Sequence, residues 1–316
     1  MHHDGSSDGH RARFYLGLFL ITFSTLMLEV VETRLLSVMM WYHLAFFVIS
    51  ASMFGMTAGA VWVYLRRDRF TRETLSHDLT WLTTAFAIST AGSLLLQLTL
   101  APAIVASATL VVVLAELALA IALPFFFSGA AVSLALTRSP FPAGRVYAVD
   151  LIGAAVGCLG VLGILQIIDA PSAILVIAAT AAASAMMFAR SDIGRASESL
   201  PRGLGFLLKP GAICITLAVL GTLNGLTRQG LQPILVKEQV ERRSGETIFE
   251  KWNSFSRVIA MPPVTRTPRL WGPSPHLPAI AVPQIWLNID GDAGTVMFRF
   301  DGDPESARFL SYDVTN

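Results

Sequence analysis

The chain has 316 residues, of which 53% are hydrophobic and 14% charged, where an ordinary soluble domain carries roughly 25% charged. Its apolar residues fall largely in blocks of about 17–25, the length that crosses a bilayer's hydrocarbon core, so lipid is the solvent for most of the chain. A formal charge of +1 excludes the strong field expected of a nucleic-acid or polyanion binder.

Residues 1–13 read as a polar, Gly/Ser-rich and disordered tail. The apolar run after it has no small-residue cleavage site and continues into LEVVETR, so the first helix is expected to be retained. Seven apolar segments follow, at residues 14–39, 42–65, 80–100, 103–137, 146–168, 173–189 and 211–226. The first two form a helical hairpin joined at Met40 and Trp41, and Pro124 is expected to kink the long fourth segment. From residue 229 the composition turns to charges, prolines and short β-type runs. TIFEKWNSFSRVIAM reads as a strand or two, the next stretch as a Pro-rich loop, and QIWLNIDGDAGTVMFRF as a hairpin turning at DGDAG. The fold class expected is an all-α polytopic membrane bundle of about seven helices followed by a small β-rich extramembrane segment, with divisions at 1–13, 14–228 and 229–316. A strand such as 284–289, lacking a completing domain, is expected to leave an open edge.

Basic residues occupy alternate connections: Arg11 and Arg13; Arg66, Arg67, Arg69 and Arg72; Arg138 and Arg145; Arg190, Arg195 and Arg202. The positive-inside rule then places the N-terminus in the cytoplasm of a bacterial inner (plasma) membrane. Seven spans put residues after Arg228 outside; an extra crossing within 103–137, or a seventh segment that does not cross, returns them inside.

Four acids inside apolar spans, Glu29, Glu32, Glu116 and Asp150, are functional candidates because burying a carboxylate in lipid is expensive. Glu29 and Glu32 share a helix face. Together with Arg34 they suit a polar cavity for a cation, a proton or a headgroup, or else an interhelical hydrogen-bond clamp, the commoner use of such groups. Gly153, Gly157 and Gly160, and likewise Gly55 and Gly59, offer smooth faces for close helix packing. Cys158 and Cys214 lie within helices and read as small apolar packers. His2, His3, His10, His43, His77 and His276 lack ligand spacing, and no metal site is expected. DGDAG lacks the rest of a calcium loop, and the chain shows no GxSxG, P-loop or dinucleotide fingerprint.

Three stretches, LEVVETRLLSVMM at 28–40, GRVYAVDLIGAAVGCLG at 144–160, and the pair EKWNSFSRV and LNIDGDAGT at 250–258 and 287–295, resemble the membrane-fused spermidine-synthase-like proteins, in which a helix bundle precedes an aminopropyltransferase-type domain. The resemblance implies that Asp290, Gly291 and Asp292 belong to a turn on the active-site rim. It also implies that an S-adenosylmethionine-type cofactor is held by a Rossmann-like domain, of which no fingerprint is read here. No catalytic residue and no cofactor are therefore expected in this chain. The partners expected are the lipid bilayer, a separately encoded catalytic domain or a second copy, and no nucleic acid. The alternatives are a small transporter with a polar pathway at Glu29, Glu32 and Asp150, or a scaffold recruiting a partner through its C-terminal segment.

Overall fold

The computed structural model describes residues 4–42, 45–100, 108–191, 209–227, 230–237, 239–240 and 247–315. His2, His3, His43, residues 103–107 of the fourth segment, Arg195, Arg202 and Arg228 lie outside the described residues. The chain divides into two compact units, Met1–Glu241 and Arg242–Asn316.

Among the described residues the first unit holds seven helices: α1 (Asp4–Met39), α2 (Ala45–Leu65), α3 (Leu75–Thr99), α4 (Ala108–Arg138), α5 (Ala143–Ile167), α6 (Ala170–Ala189) and α7 (Pro210–Leu226). Helices α1 to α6 are long and apolar enough to cross a membrane, and α7 is a shorter apolar helix of 17 residues. At 1.5 Å per residue α7 reaches about 25 Å, just under a hydrocarbon core of about 30 Å. Leu119, Leu159 and Ile215 are 68%, 67% and 67% exposed; such an apolar exterior is stable only in lipid, and the chain is an integral membrane protein.

The tail read as disordered differs most: from Asp4 it is helical and continuous with α1. Hydropathy marks only the part of a helix that lipid covers, so the polar turns were invisible to it. Pro124 sits inside one continuous α4. Cys214 is half-buried, whereas Cys158 is exposed on α5 and packs no core, a correction to the packing role expected of it. The exterior of a membrane bundle tolerates such a small apolar group.

Helix α1 is the hub, packed against α2, α4, α5 and α6, with Phe14, Leu18, Ile21, Leu28, Val31 and Leu35 fully buried. Where α5 crosses it, a Cβ on Gly153 would lie 2.8 Å from Phe19 O, one on Gly157 2.5 Å from Phe23 O, and one on Gly160 3.2 Å from Met27 Sδ. The two helices therefore run parallel, in backbone contact that only glycine permits. Helices α2 and α4 meet the same way: a Cβ on Gly55 would lie 2.3 Å from Ala122 O, and one on Gly59 2.1 Å from Phe126 O. Helix α6 runs antiparallel to α1, its Ser184 hydroxyl donating to Gly17 O (2.7 Å) and its Phe188 ring meeting Phe14.

These directions collect Arg13, Arg67, Arg138 and Arg190 at one end of the bundle. Arg13 Nη1 donates to Arg190 O (2.9 Å), Arg138 Nη2 donates to Arg67 O (3.0 Å), and the Phe14 ring meets Phe141 in the α4–α5 connection. At the opposite end Asp169 caps α6, accepting from Ser172 N (2.8 Å) with a proline in the first turn. Its other oxygen accepts from Gln232 Nε2 (2.8 Å). Asn224 Nδ2 donates to Ser172 Oγ (2.8 Å) and to Leu231 O (3.1 Å). Lys237 N donates to Met39 O (2.7 Å), which fastens the small hairpin of β1 (Leu235–Val236) and β2 (Gln239–Val240) to the end of α1. The compact unit that holds the helices thus extends through this hairpin to Glu241.

The described residues of the second unit form a five-stranded antiparallel sheet of β3 (Phe249–Trp252), β4 (Arg257–Ala260), β5 (Val264–Arg266), β6 (Val282–Ile289) and β7 (Ala293–Phe298), followed by a 3-10 helix, Pro304–Tyr312. Strand β6 is central: β4 and β5 pair with successive parts of one edge and β7 with the other. The open edge expected at 284–289 is therefore filled. The Pro-rich stretch supplies β5 at its start, and the buried Gln284 side chain ties the chain beyond it, accepting from Arg269 N (3.1 Å) and donating to Thr267 O (2.9 Å).

Candidate functional site

The acids of α1 begin a polar column. Thr25, Glu29 and Glu32 follow at intervals of four and three, a stripe along one face of the helix, and each reaches a different neighbour. Thr25 spends its hydroxyl on Ile21 O (2.8 Å), so Ser128 of α4 donates in the contact between their hydroxyls. Ser52 of α2 donates to Glu29 Oε1 (3.0 Å). Gln97 of α3 donates through Nε2 to Glu32 Oε1 (3.3 Å) and to Ser93 Oγ (2.9 Å). Glu32 is fully buried and Gln97 nearly so. Ser93 also lines an apolar cavity of about 470 Å³ between α3 and α4.

Three consecutive turns of α1 are thereby fastened to three helices. This is the geometry of a clamp, in which a polar atom buried away from water takes its partner from a neighbouring helix. The partners Ser52, Gln97, Ser93 and Ser128 escaped the sequence reading. Their only signal was polarity within an apolar run, and nothing local tells which helix such a residue faces.

The remaining candidates lie apart. Parallel packing sets Gly153 beside Phe19, so Asp150, half-buried near the start of α5, is offset from Glu29 by ten or more residues, about 15 Å along the axis. A single pathway through Glu29, Glu32 and Asp150 is not assembled. Arg34 is half-buried, and its position lies about 200° around α1 from Glu32 at 100° per residue. Glu116 is exposed on the outside of α4.

In the second unit Asp290 and Gly291 have φ of +53° and +80°, and Asp292 N bonds back to Ile289 O (3.4 Å). This is a type I′ turn, which requires positive φ at both central residues and so selects Asp-Gly. Asp290 turns inward: its Oδ1 accepts from Arg257 N (2.7 Å) while its own N donates to Arg257 O (2.9 Å). The two C-terminal stretches that carry the family resemblance are thus joined through these residues. Arg257, 1% exposed, is held by Glu250 at 2.9 Å and lies over the Trp252 ring.

Asp292 lines an open cleft of about 590 Å³ with Arg269, Trp271, Trp286, Thr295 and Asp313. Arg269 stacks on Trp286 with 3.9 Å between guanidinium carbon and ring centre. Asp313 accepts from Thr315 N (3.0 Å) and Trp271 N (2.9 Å), and these donors hold its carboxyl below the ordinary range. No protein-family model, curated protein or solved structure matches the chain.

Proposed function

We propose that the bundle is a membrane anchor and that residues 247–315 are the β lead-in of an aminopropyltransferase-like protein, the chain being non-catalytic by itself. The observation that supports this most is the union of WNSFSRV and LNIDGDAGT. The two stretches on which the resemblance rests are adjacent in one sheet and locked together by Asp290 and Arg257. An S-adenosylmethionine-type cofactor then belongs to a Rossmann-like domain supplied beyond these residues or by another polypeptide. With the arginine-rich end in the cytoplasm, residues 230–237 leave the bundle on the far side, since Leu231 is held by Asn224 beside Ser172 and Lys237 by Met39.

The test is photolabelling with an S-adenosylmethionine analogue in native membranes, with the chain then captured through an antibody to residues 229–316. Label on a co-captured polypeptide, or on an extension of this chain, is the expected result. Label within residues 1–316 overturns the non-catalytic reading, and an absence of label in the captured material removes the transferase relationship. A phosphatase fused after Asn316, active on the far side of the membrane, is the expected orientation result.

A further inference from the structure

The contact between Glu32 and Gln97 is half of a complete one. Glu32 Oε1 accepts from Gln97 Nε2, yet Glu32 Oε2 and Gln97 Oε1 are both buried and have no hydrogen-bond partner. An ionised carboxylate only accepts, and an amide oxygen only accepts. With Glu32 ionised, two buried acceptors therefore lack a donor, an arrangement that native interiors avoid. Both N–H bonds of Gln97 are already spent, on Glu32 and on Ser93. One added hydrogen on Glu32 Oε2 satisfies both atoms at once. It turns Oε2 into a donor and Gln97 Oε1 into its acceptor, which closes the two-bond ring of a carboxylic acid paired with a primary amide.

We propose that Glu32 and Gln97 form an intramembrane proton-binding site, in which Glu32 carries a proton on Oε2 and presents it to Gln97 Oε1. The ligand is the proton itself. Uptake from hydronium at a membrane face leaves water behind and converts the carboxylate to the neutral acid, and release returns the proton to water; nothing is oxidised or reduced. The site therefore links the spacing of α1 and α3 to proton occupancy: two bonds join them when it is loaded, and one when it is empty.

Among the described residues, the charged and titratable groups on the elements around Glu32 leave it without a close cationic substitute for the proton. On α1 these are Glu29, hydrogen-bonded to Ser52, Arg34, about 200° around the helix, and Asp8, His10, Arg11, Arg13 and Tyr15 toward the arginine-rich end. Helix α2 contributes Tyr64, at its far end. His77 and Asp78 of α3 start that helix, about 30 Å from Gln97 along its axis. Helix α4 carries the exposed Glu116 and, at its far end, Arg138, while Arg145, Tyr147 and Asp150 of α5 lie toward the arginine-rich end and Cys158 is exposed. Helix α6 offers Asp169, engaged by Ser172 and Gln232, and Arg190 at the arginine-rich end. Lys237 at β1 lies over the Trp41 ring.

Infrared spectroscopy of the full chain in lipid nanodiscs at neutral pH, with exchange into heavy water, tests the assignment. The expected result is a protonated carboxylic-acid C=O band that disappears in Glu32→Gln and moves to higher frequency in Gln97→Leu, where the acid loses its acceptor. Glu32→Gln, whose amide supplies an N–H to Gln97, is expected to fold. If it does not, the Gln97→Leu shift decides alone. A band unchanged in either variant, or a carboxylate stretch lost in Glu32→Gln in place of an acid band, overturns the proposal.

Discussion

In the bundle, polar side chains of α1 are tied across helices largely by uncharged groups, Ser128, Ser52 and Gln97, and the backbones meet where glycine removes the side chain. In the β unit the largest fully buried side chain is a cation, Arg257, neutralised by Glu250 and laid on Trp252, and the chain reverses through a tight turn with positive φ at Asp290 and Gly291. The difference follows from the solvent of the unfolded reference. In lipid no apolar driving force draws helices together, so close approach and neutral hydrogen bonds hold them. In water the small unit has little core to bury, and one well-bonded ion pair and tight turn chemistry set its register.

The sharpest break in this comparison is Arg257→Leu. It leaves Glu250, 17% exposed, without its guanidinium, and is expected to destabilise the β unit by about 3–5 kcal/mol. Limited proteolysis of the full chain should then clip within 247–315 while the bundle stays intact; equal loss of both units would mean they unfold as one. Gly59→Val is the converse. Its Cβ would sit 2.1 Å from Phe126 O, and overpacking of about 1–3 kcal/mol or more is expected in the bundle alone, read as a lower melting temperature in detergent. Gly92→Ala, with nothing within 4 Å of its Cβ, is the control and should stay within about 0.5 kcal/mol.

The sequence reading reached the seven helices because each is a block of apolar residues, and it reached the hairpin at DGDAG because Asp-Gly is a local signal for a type I′ turn. It could not see that α1 and α5 run side by side in parallel, which is why Asp150 was grouped with two glutamates that lie at another depth. Nor could it place Gln284–Ile289 at the centre of a sheet, because strand order depends on pairings made far along the chain.

Two smaller effects sharpen the contrast. Asp169→Ala removes the cap of α6 and the acceptor for Gln232, and a loss of about 1 kcal/mol is expected, measurable as faster amide exchange at the start of α6. In the β unit, Asp313 is held below the ordinary carboxyl range by the backbone donors Thr315 N and then Trp271 N. Its contribution is present above the unfolded-state value near about 3.9 and is lost as pH falls through the lower folded value. Acid should therefore loosen residues 312–315 from Trp271, seen as a change in tryptophan fluorescence that Asp313→Asn abolishes.

The fastening of residues 224–237 has a mechanical meaning. Asn224 grips Leu231, Asp169 grips Gln232, and Met39 grips Lys237, so that three helix ends share the attachment of the chain. Tension applied beyond residue 240 meets the Met39–Lys237 bond first, then Asp169–Gln232 and Asn224–Leu231, so that α1 and α6 take load before it reaches α7.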